Sequence, residues 1–179
     1  MDDYTIIATK ILFDHPWARV VVDTLKHGDI SRPYFYLASP VEAVATVGLT
    51  SQGEILLTRQ YRHPIGKVIY DLPAGRLEPG ETPQDGARRE FEEETGYQPG
   101  NIIPLGYYNQ FPGTLRAGTH LFFASQLIPS SQHLDEGEEL DVVAMPAGVV
   151  LSMILTGQIM DGSLQLGVLL ANARGLLNP

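Results

Sequence analysis

The stretch from Thr82 to Gly96 constrains the fold of this chain more than any other. Thr82 can accept a hydrogen bond from an N–H two or three residues on, and Pro83 suits the first helical position, where its missing N–H costs nothing. Gly96 supplies the stop, so the spacing predicts a helix that runs to about Thr95. At 100° per residue, Glu93 and Glu94 fall within about 60° of Glu90, so three carboxylates share one face. Glu92 points nearly the opposite way, and with Arg88 at i,i+4 it reads as a solvent-facing ion pair worth a few tenths of a kcal/mol. Phe91 and Ala87 read as core, and Gly86 leaves room on the glutamate face one turn earlier.

Three like charges at i, i+3 and i+4 repel by roughly 0.2–0.5 kcal/mol per pair, and helix stability asks for none of them. A bound cation resolves the conflict. Carboxylate oxygen is a hard donor, and the chain has no Cys and no closely spaced His pair, so Mg²⁺ or Mn²⁺ is expected rather than zinc. Arg89, at i,i+4 from Glu93, is placed to orient it. The surrounding charge agrees: residues 71–94 hold eight of the 21 acids and residues 135–141 five more, whereas residues 95–134 hold none. A charge run can also be a solvated face, and composition alone does not decide.

At 179 residues the chain is one domain in size, and 44% apolar against 18% charged residues suffices for a core. Its formal charge of −9 argues against nucleic acid as a partner. Lack of Cys removes thiol chemistry and fits a reducing compartment, so cytoplasm is expected; the acidic opening Met1-Asp2-Asp3 does not read as a signal peptide. Residues 142–160 carry no formal charge and approach membrane-spanning length, but Pro146, Gly148 and Gly157 interrupt them. They read as a buried strand followed by a packed helix, so no membrane is expected.

Short strands are expected at 20–22 and 34–37, with Gly28 and Pro33 between them. A hairpin is predicted from 41–49 and 54–60 around Thr50-Ser51-Gln52-Gly53, with further strands at 68–70, 105–108, 120–125 and 140–145. Helices are expected at 149–155 and 164–176. The sum is an α+β protein whose mixed, largely antiparallel sheet lies between helices, an α/β/α sandwich.

The run Gly75-Arg76-Leu77-Glu78-Pro79-Gly80-Glu81, followed after seven residues by Arg89-Glu90-Phe91-Glu92-Glu93-Glu94-Thr95-Gly96-Tyr97, resembles the Nudix box, G-x5-E-x7-R-E-U-x-E-E-x-G-U. All seven fixed positions match: Gly75, Glu81, Arg89, Glu90, Glu93, Glu94 and Gly96. Phe91 and Tyr97 stand where aliphatic residues are usual. The resemblance implies a Nudix fold and Mg²⁺-dependent hydrolysis of a nucleoside diphosphate linked to another moiety, with Mn²⁺ as a substitute. It implies that the Ala74 carbonyl, Glu90 and Glu94 hold metal with Glu93 as a further ligand, and that Glu81 braces the loop or reaches a metal through water.

Around the box, Tyr61-Arg62-His63-Pro64 and Asp71-Leu72-Pro73-Ala74-Gly75 are similar to the ADP-ribose pyrophosphatase branch, as is Pro112, sixteen residues beyond Gly96. That likeness implies cleavage of ADP-ribose to AMP and ribose 5-phosphate, in a homodimer built through the N-terminal strands. Residues 1–40 form the expected dimerisation and substrate-side segment, and residues 41–179 the hydrolase domain. The candidates for substrate contact are Pro112, Gly113 and Arg116, together with one of Arg59 and Arg62. Relatives often carry an acid after the Pro-Gly turn; here Arg116 stands instead, either gripping a phosphate or carboxylate or serving as an exposed charge. The acidic run 135–139 is similar to a loop that supplies a general base, and Glu136 and Glu138 are the candidates, the alternative being a helix glutamate. His63 and His120 read as structural, and Trp17, Tyr34 and Tyr36 as packing residues or an adenine platform. Two other readings stand beside the first. One is a Nudix enzyme for a nucleotide sugar, NADH, FAD or a dinucleoside polyphosphate, and the other a sensor that binds ADP-ribose without cleaving it.

Overall fold

A computed structural model describes residues 3–177, so Met1 and Asp2 of the acidic opening lie outside the described residues. The elements in chain order are β1 (Thr5–His15), β2 (Ala18–His27), β3 (Ile30–Ala38), β4 (Ala43–Leu49), β5 (Glu54–Arg62), β6 (Lys67–Asp71) and β7 (Ala74–Arg76). They continue with α1 (Pro83–Thr95), β8 (Tyr97–Asn109), β9 (Leu115–Arg116), β10 (Gly118–Pro129), β11 (Leu140–Pro146), α2 (Ala147–Leu155) and α3 (Gly162–Ala173). Contacts divide the chain into two units, one running through Glu42 and including Asn109–Gly118, the other holding the rest.

The first unit is a four-stranded sheet in the order β1-β2-β3-β9, antiparallel except for the β3–β9 pair. β2 alternates as a half-buried strand should, with Val21 and Asp23 inward. β1 does not alternate. All eleven of its residues are exposed, Ile6, Ile7, Ile11, Leu12 and Phe13 among them. It was absent from the expected strands because Thr5–His15 carries polar residues among its apolar ones without period two, and its pairing with β2 supplies the extended conformation.

In the second unit the sheet runs β11-β5-β4-β10-β8, with β6 paired to β5 and β7 to β4. The predicted hairpin is β4–β5, and the central β4–β10 pair is parallel. β4 is buried almost throughout, as expected of a strand covered on both faces. Alternation sorts its side chains. Val44 joins Ala87 of α1, Ile102 and Phe122, whereas Ala45 and Val47 join Leu57, Leu121 and Phe123 with Val150 of α2 and Val168 of α3. The expected α/β/α sandwich is thus present, and Phe91, fully buried, contributes about 1.5–3 kcal/mol from apolar burial. Residues 142–160 are the last five positions of β11, α2 and the connection to α3, and no described helix is long and apolar enough to cross a membrane.

Candidate active site

The helix ends form as the sequence predicts. Asp85 N donates to Thr82 Oγ1 at 3.2 Å, Pro83 opens α1, and Gly96 closes it at φ 72°, its N–H bonded to Glu92 O at 2.8 Å. These caps fix which face meets the sheet, and hence where the glutamates project.

Arg89 is the hub of that face. Nε donates to Glu81 Oε1 at 2.9 Å and Nη2 to Glu81 Oε2 at 3.0 Å; Nη2 also reaches Arg76 O at 2.9 Å. Nη1 serves both Glu90 at 2.8 Å and Glu93 at 3.0 Å. All five guanidinium donors are therefore engaged, so Arg89 orients carboxylates and has no N–H left over for a substrate. Glu81 also accepts Glu78 N at 2.9 Å, and its arginine partner holds its carboxyl below the usual range. Of the two roles implied for Glu81, the structure displays bracing. Gly86 serves the same brace, since a Cβ there would lie 2.6 Å from Leu77 Cδ2 and 2.9 Å from Glu81 Oε2.

Glu90 lies against the backbone of Gly75, where a Cβ would come within 2.0 Å of its carboxyl carbon. Glu94 is the deepest of the trio at 2% exposure, and its Oε2 accepts the Ala74 N–H at 3.0 Å. Burial pushes the Glu94 carboxyl up to about 8; the charges of Glu138 and Glu90 add to the rise, and the Ala74 N–H and Arg62 oppose it. Burial likewise raises Glu90, with Arg89 opposing and the charges of Glu93 and Glu138 adding. Among the described residues no three His, Asp or Glu side chains converge closely enough to cage an ion unaided. The donor chemistry nevertheless suits a hard divalent cation: Glu90 and Glu94 are neighbouring carboxyls one helical turn apart, and burial raises both, a cost that a bound cation would offset.

The loop after β10 returns to the end of α1. Ser130 N donates to Gly96 O at 2.7 Å, Gln132 Nε2 to Glu94 O at 2.7 Å and His133 N to Glu93 O at 2.8 Å, occupying carbonyls that a helix terminus leaves open. Farther on, Glu138 N donates to Asp135 O at 3.0 Å, with Gly137 at φ 84°. Glu138 is half-buried and its charge acts on Glu90 and Glu94, whereas Glu136 is exposed. The back of α1 departs from expectation. Arg88 donates to Pro99 O at 2.6 Å, and Glu92 accepts from Ser130 Oγ at 2.6 Å and Gln98 Nε2 at 2.8 Å, so the expected Arg88–Glu92 pair is replaced by tertiary contacts that helical spacing could not reveal.

The two candidate arginines separate. Arg59 forms an exposed cross-strand pair with Asp141 at 3.1 Å. Arg62 donates through Nε to Asp71 Oδ2 at 2.6 Å, and its charge acts on Glu94 and on Asp161, which caps α3 by accepting Leu164 N at 2.6 Å. Asp71 is 3% exposed and its Oδ1 is buried without a hydrogen-bond partner. Burial raises its carboxyl, and Arg62 opposes the rise. In the sequence Asp71 is only a motif position; in the β5–β6 hairpin it lies opposite Thr58 while Arg62 lies opposite Lys67, so it is the long Arg62 side chain that reaches it.

Pro112, Gly113 and Arg116 belong to the first unit, where with Asp23, Tyr34 and Tyr36 they line a cavity of about 380 Å³. Tyr34 donates to Gly113 O at 2.6 Å, Arg116 lies 5.1 Å from the Tyr36 ring centre, and Tyr36 donates to Asp23 Oδ2 at 3.0 Å. His63 packs edge-on to Tyr61, and His120 lies 4.8 Å from the ring of Tyr107.

The NUDIX domain family model matches residues 40–154. An ADP-ribose pyrophosphatase of Bacillus subtilis (strain 168) is 33% identical over 121 residues, 66% of this chain and 65% of that protein. The methanol dehydrogenase activator of Bacillus methanolicus is 35% identical over 128 residues, 70% of this chain and 69% of its own length. The chain thus spans about two thirds of these relatives, just under that share for the first. A solved structure described as an ADP compounds hydrolase superposes with a TM-score of 0.86 at 20% identity, covering 98% of each chain, a likeness of fold.

Proposed function

Because this chain belongs to the NUDIX domain family, we propose that it hydrolyses the diphosphate bond of a nucleoside diphosphate derivative, with ADP-ribose as substrate and AMP and ribose 5-phosphate as products. The observation that carries the reading is the buried Glu94 carboxylate beside Glu90, which burial leaves short of compensating positive charge. Glu90, Glu93 and Glu94 with the Ala74 carbonyl would hold Mg²⁺ or Mn²⁺. The ion, when bound, supplies charge that neutralises the diphosphate oxygens and acidifies water. Arg89 keeps Glu90 and Glu93 aimed, and Glu81 keeps Arg89 in place. Arg62, held by Asp71, donates to a phosphate oxygen. Glu138 accepts the proton as a water oxygen bonds to phosphorus and the bridging P–O bond breaks; its half-buried position near Glu90 and Glu94 favours it over Glu136.

The likeness to the ADP-ribose pyrophosphatase of Bacillus subtilis supports ADP-ribose as the nucleotide. The residue after the Pro-Gly turn supports a second reading with another group in place of the ribose, because Arg116 stands where an acid is usual. We also infer a homodimer joined through β1, whose apolar side chains are exposed along its whole length, and, from the cysteine-free composition, a cytoplasmic setting. Hydrolysis of a panel of nucleoside diphosphate derivatives with Mg²⁺ or Mn²⁺, products identified, tests the reading; release of AMP from ADP-ribose is expected. No nucleoside monophosphate from any member would overturn it, and micromolar ADP-ribose binding without turnover would favour the sensor. Sedimentation should give a dimer that Phe13→Asp dissociates.

A further inference from the structure

We propose that Glu92 is a positioning residue, and that through Ser130 it fixes the loop that presents Glu138 to the glutamate face of α1. This rests on the assignment of Glu138 as the base. Glu92 sits on the back of the helix, in the one variable position between the box glutamates, and would ordinarily be free to face solvent. Instead Oε1 receives both Ser130 Oγ at 2.6 Å and Gln98 Nε2 at 2.8 Å, tying the strand after α1 and the loop after β10 to one carboxylate.

The bond at Ser130 is the first of a row. Ser130 N, Gln132 Nε2 and His133 N follow onto the carbonyls of Gly96, Glu94 and Glu93, so four successive contacts run along the last turn of α1. Gly96 allows this close approach, since a Cβ there would lie 3.3 Å from Gln132 N. The other end of the loop is held by β11, which begins at Leu140 and pairs residue for residue with β5. Between these anchors only residues 134–139 remain, and Glu138 closes a turn onto Asp135 within them. With both ends fixed and the interval short, the reach of Glu138 is set by the anchors. Without the Glu92 bond the row keeps only the contacts of Ser130 N, Gln132 and His133, so it opens more often from its Gly96 end, and each opening lengthens the segment that carries Glu138 and disperses its carboxylate positions.

A helix cap that merely stabilised would lower the melting temperature and leave the chemistry alone. A positioning role predicts more. In Glu92→Ala, kcat for ADP-ribose with Mg²⁺ should fall about tenfold while KM stays within twofold, because Glu92 touches no substrate. Amide hydrogen exchange in residues 130–139 should quicken about tenfold while that of β4 is unchanged. Glu92→Gln, whose amide oxygen can accept the same two bonds, should restore both. Unchanged kcat in Glu92→Ala, or a kcat loss with unchanged exchange across 130–139, overturns the proposal, as does failure of Glu92→Gln to recover either property. Ser130→Ala, which removes the exposed end of the same bond, decides identically if Glu92→Ala does not fold. A wild-type protein that hydrolyses no substrate defeats the catalytic reading, and the exchange comparison alone then decides whether Glu92 fixes the loop.

Discussion

Gly75 and Glu90 compete for the same space: a methyl group on Gly75 would lie 2.0 Å from the carboxyl carbon of Glu90 and 2.1 Å from Oε2. The glycine of the box is thereby a condition on where the first helix glutamate can rest, and strand β7 is the floor of the site. Gly75→Ala should displace Glu90 by an ångström or more, lowering kcat on the order of 10²-fold. Circular dichroism should still report the native fold. Turnover within twofold of wild type would show that the contact does not matter.

Glu94 gives the metal-free protein a distinctive pH dependence. Its carboxyl is raised from 4.5 to about 8, so between those values the unfolded chain releases a proton that the folded protein retains. The unfolded state then binds fewer protons, and stability falls as pH rises, by a few kcal/mol at most over that window. Below about pH 4.5 both states are protonated and the loss vanishes. Urea unfolding in chelator at pH 5 and pH 8 should show this decline in wild type and a smaller one in Glu94→Gln. Mg²⁺ should restore stability at pH 8 in wild type alone, and an equal decline in both proteins would refute the assignment.

The helix, its caps and its glutamate face were legible because each depends on neighbours within one or two turns: Thr82 on Asp85, Gly96 on Glu92 and Glu90 on Glu93 and Glu94. The sheet sandwich followed from periodicity. What sequence could not supply were partners set by tertiary return, such as Ser130 arriving at Glu92 or Asp71 arriving at Arg62. β1 escaped for a related reason, since its extended form is imposed by β2 and its exposed residues show no period.

Arg59 and Arg62 should behave differently although only two residues lie between them. Arg62 is held by a buried aspartate and acts on Glu94, whereas Arg59 pairs with Asp141 at the surface. Arg62→Ala should raise KM for ADP-ribose about tenfold or more through loss of a charge-assisted phosphate bond. The effect of Arg59→Ala should be at least fivefold smaller, because an exposed pair contributes about 0–1 kcal/mol. Steady-state kinetics on the two variants checks the contrast, and a KM effect of Arg59→Ala equal to that of Arg62→Ala would reverse the assignment.

The seat of α1 on the sheet depends on a second missing side chain. A Cβ on Gly48 would lie 2.3 Å from Phe91 Cζ, and Phe91 is fully buried, so neither partner can step aside. Gly48→Ala should cost about 1–3 kcal/mol by overpacking, whereas Phe91→Leu costs on the order of 1–2 kcal/mol by leaving a void. The two changes meet in the same volume, since a leucine leaves the ring's outer edge empty where the new methyl group would go. The double variant should therefore be less destabilised than the sum of the singles, by about 1 kcal/mol. Urea denaturation of all four proteins measures this coupling, and strict additivity would mean that the strand, and not the ring, gives way when Gly48 gains a methyl group.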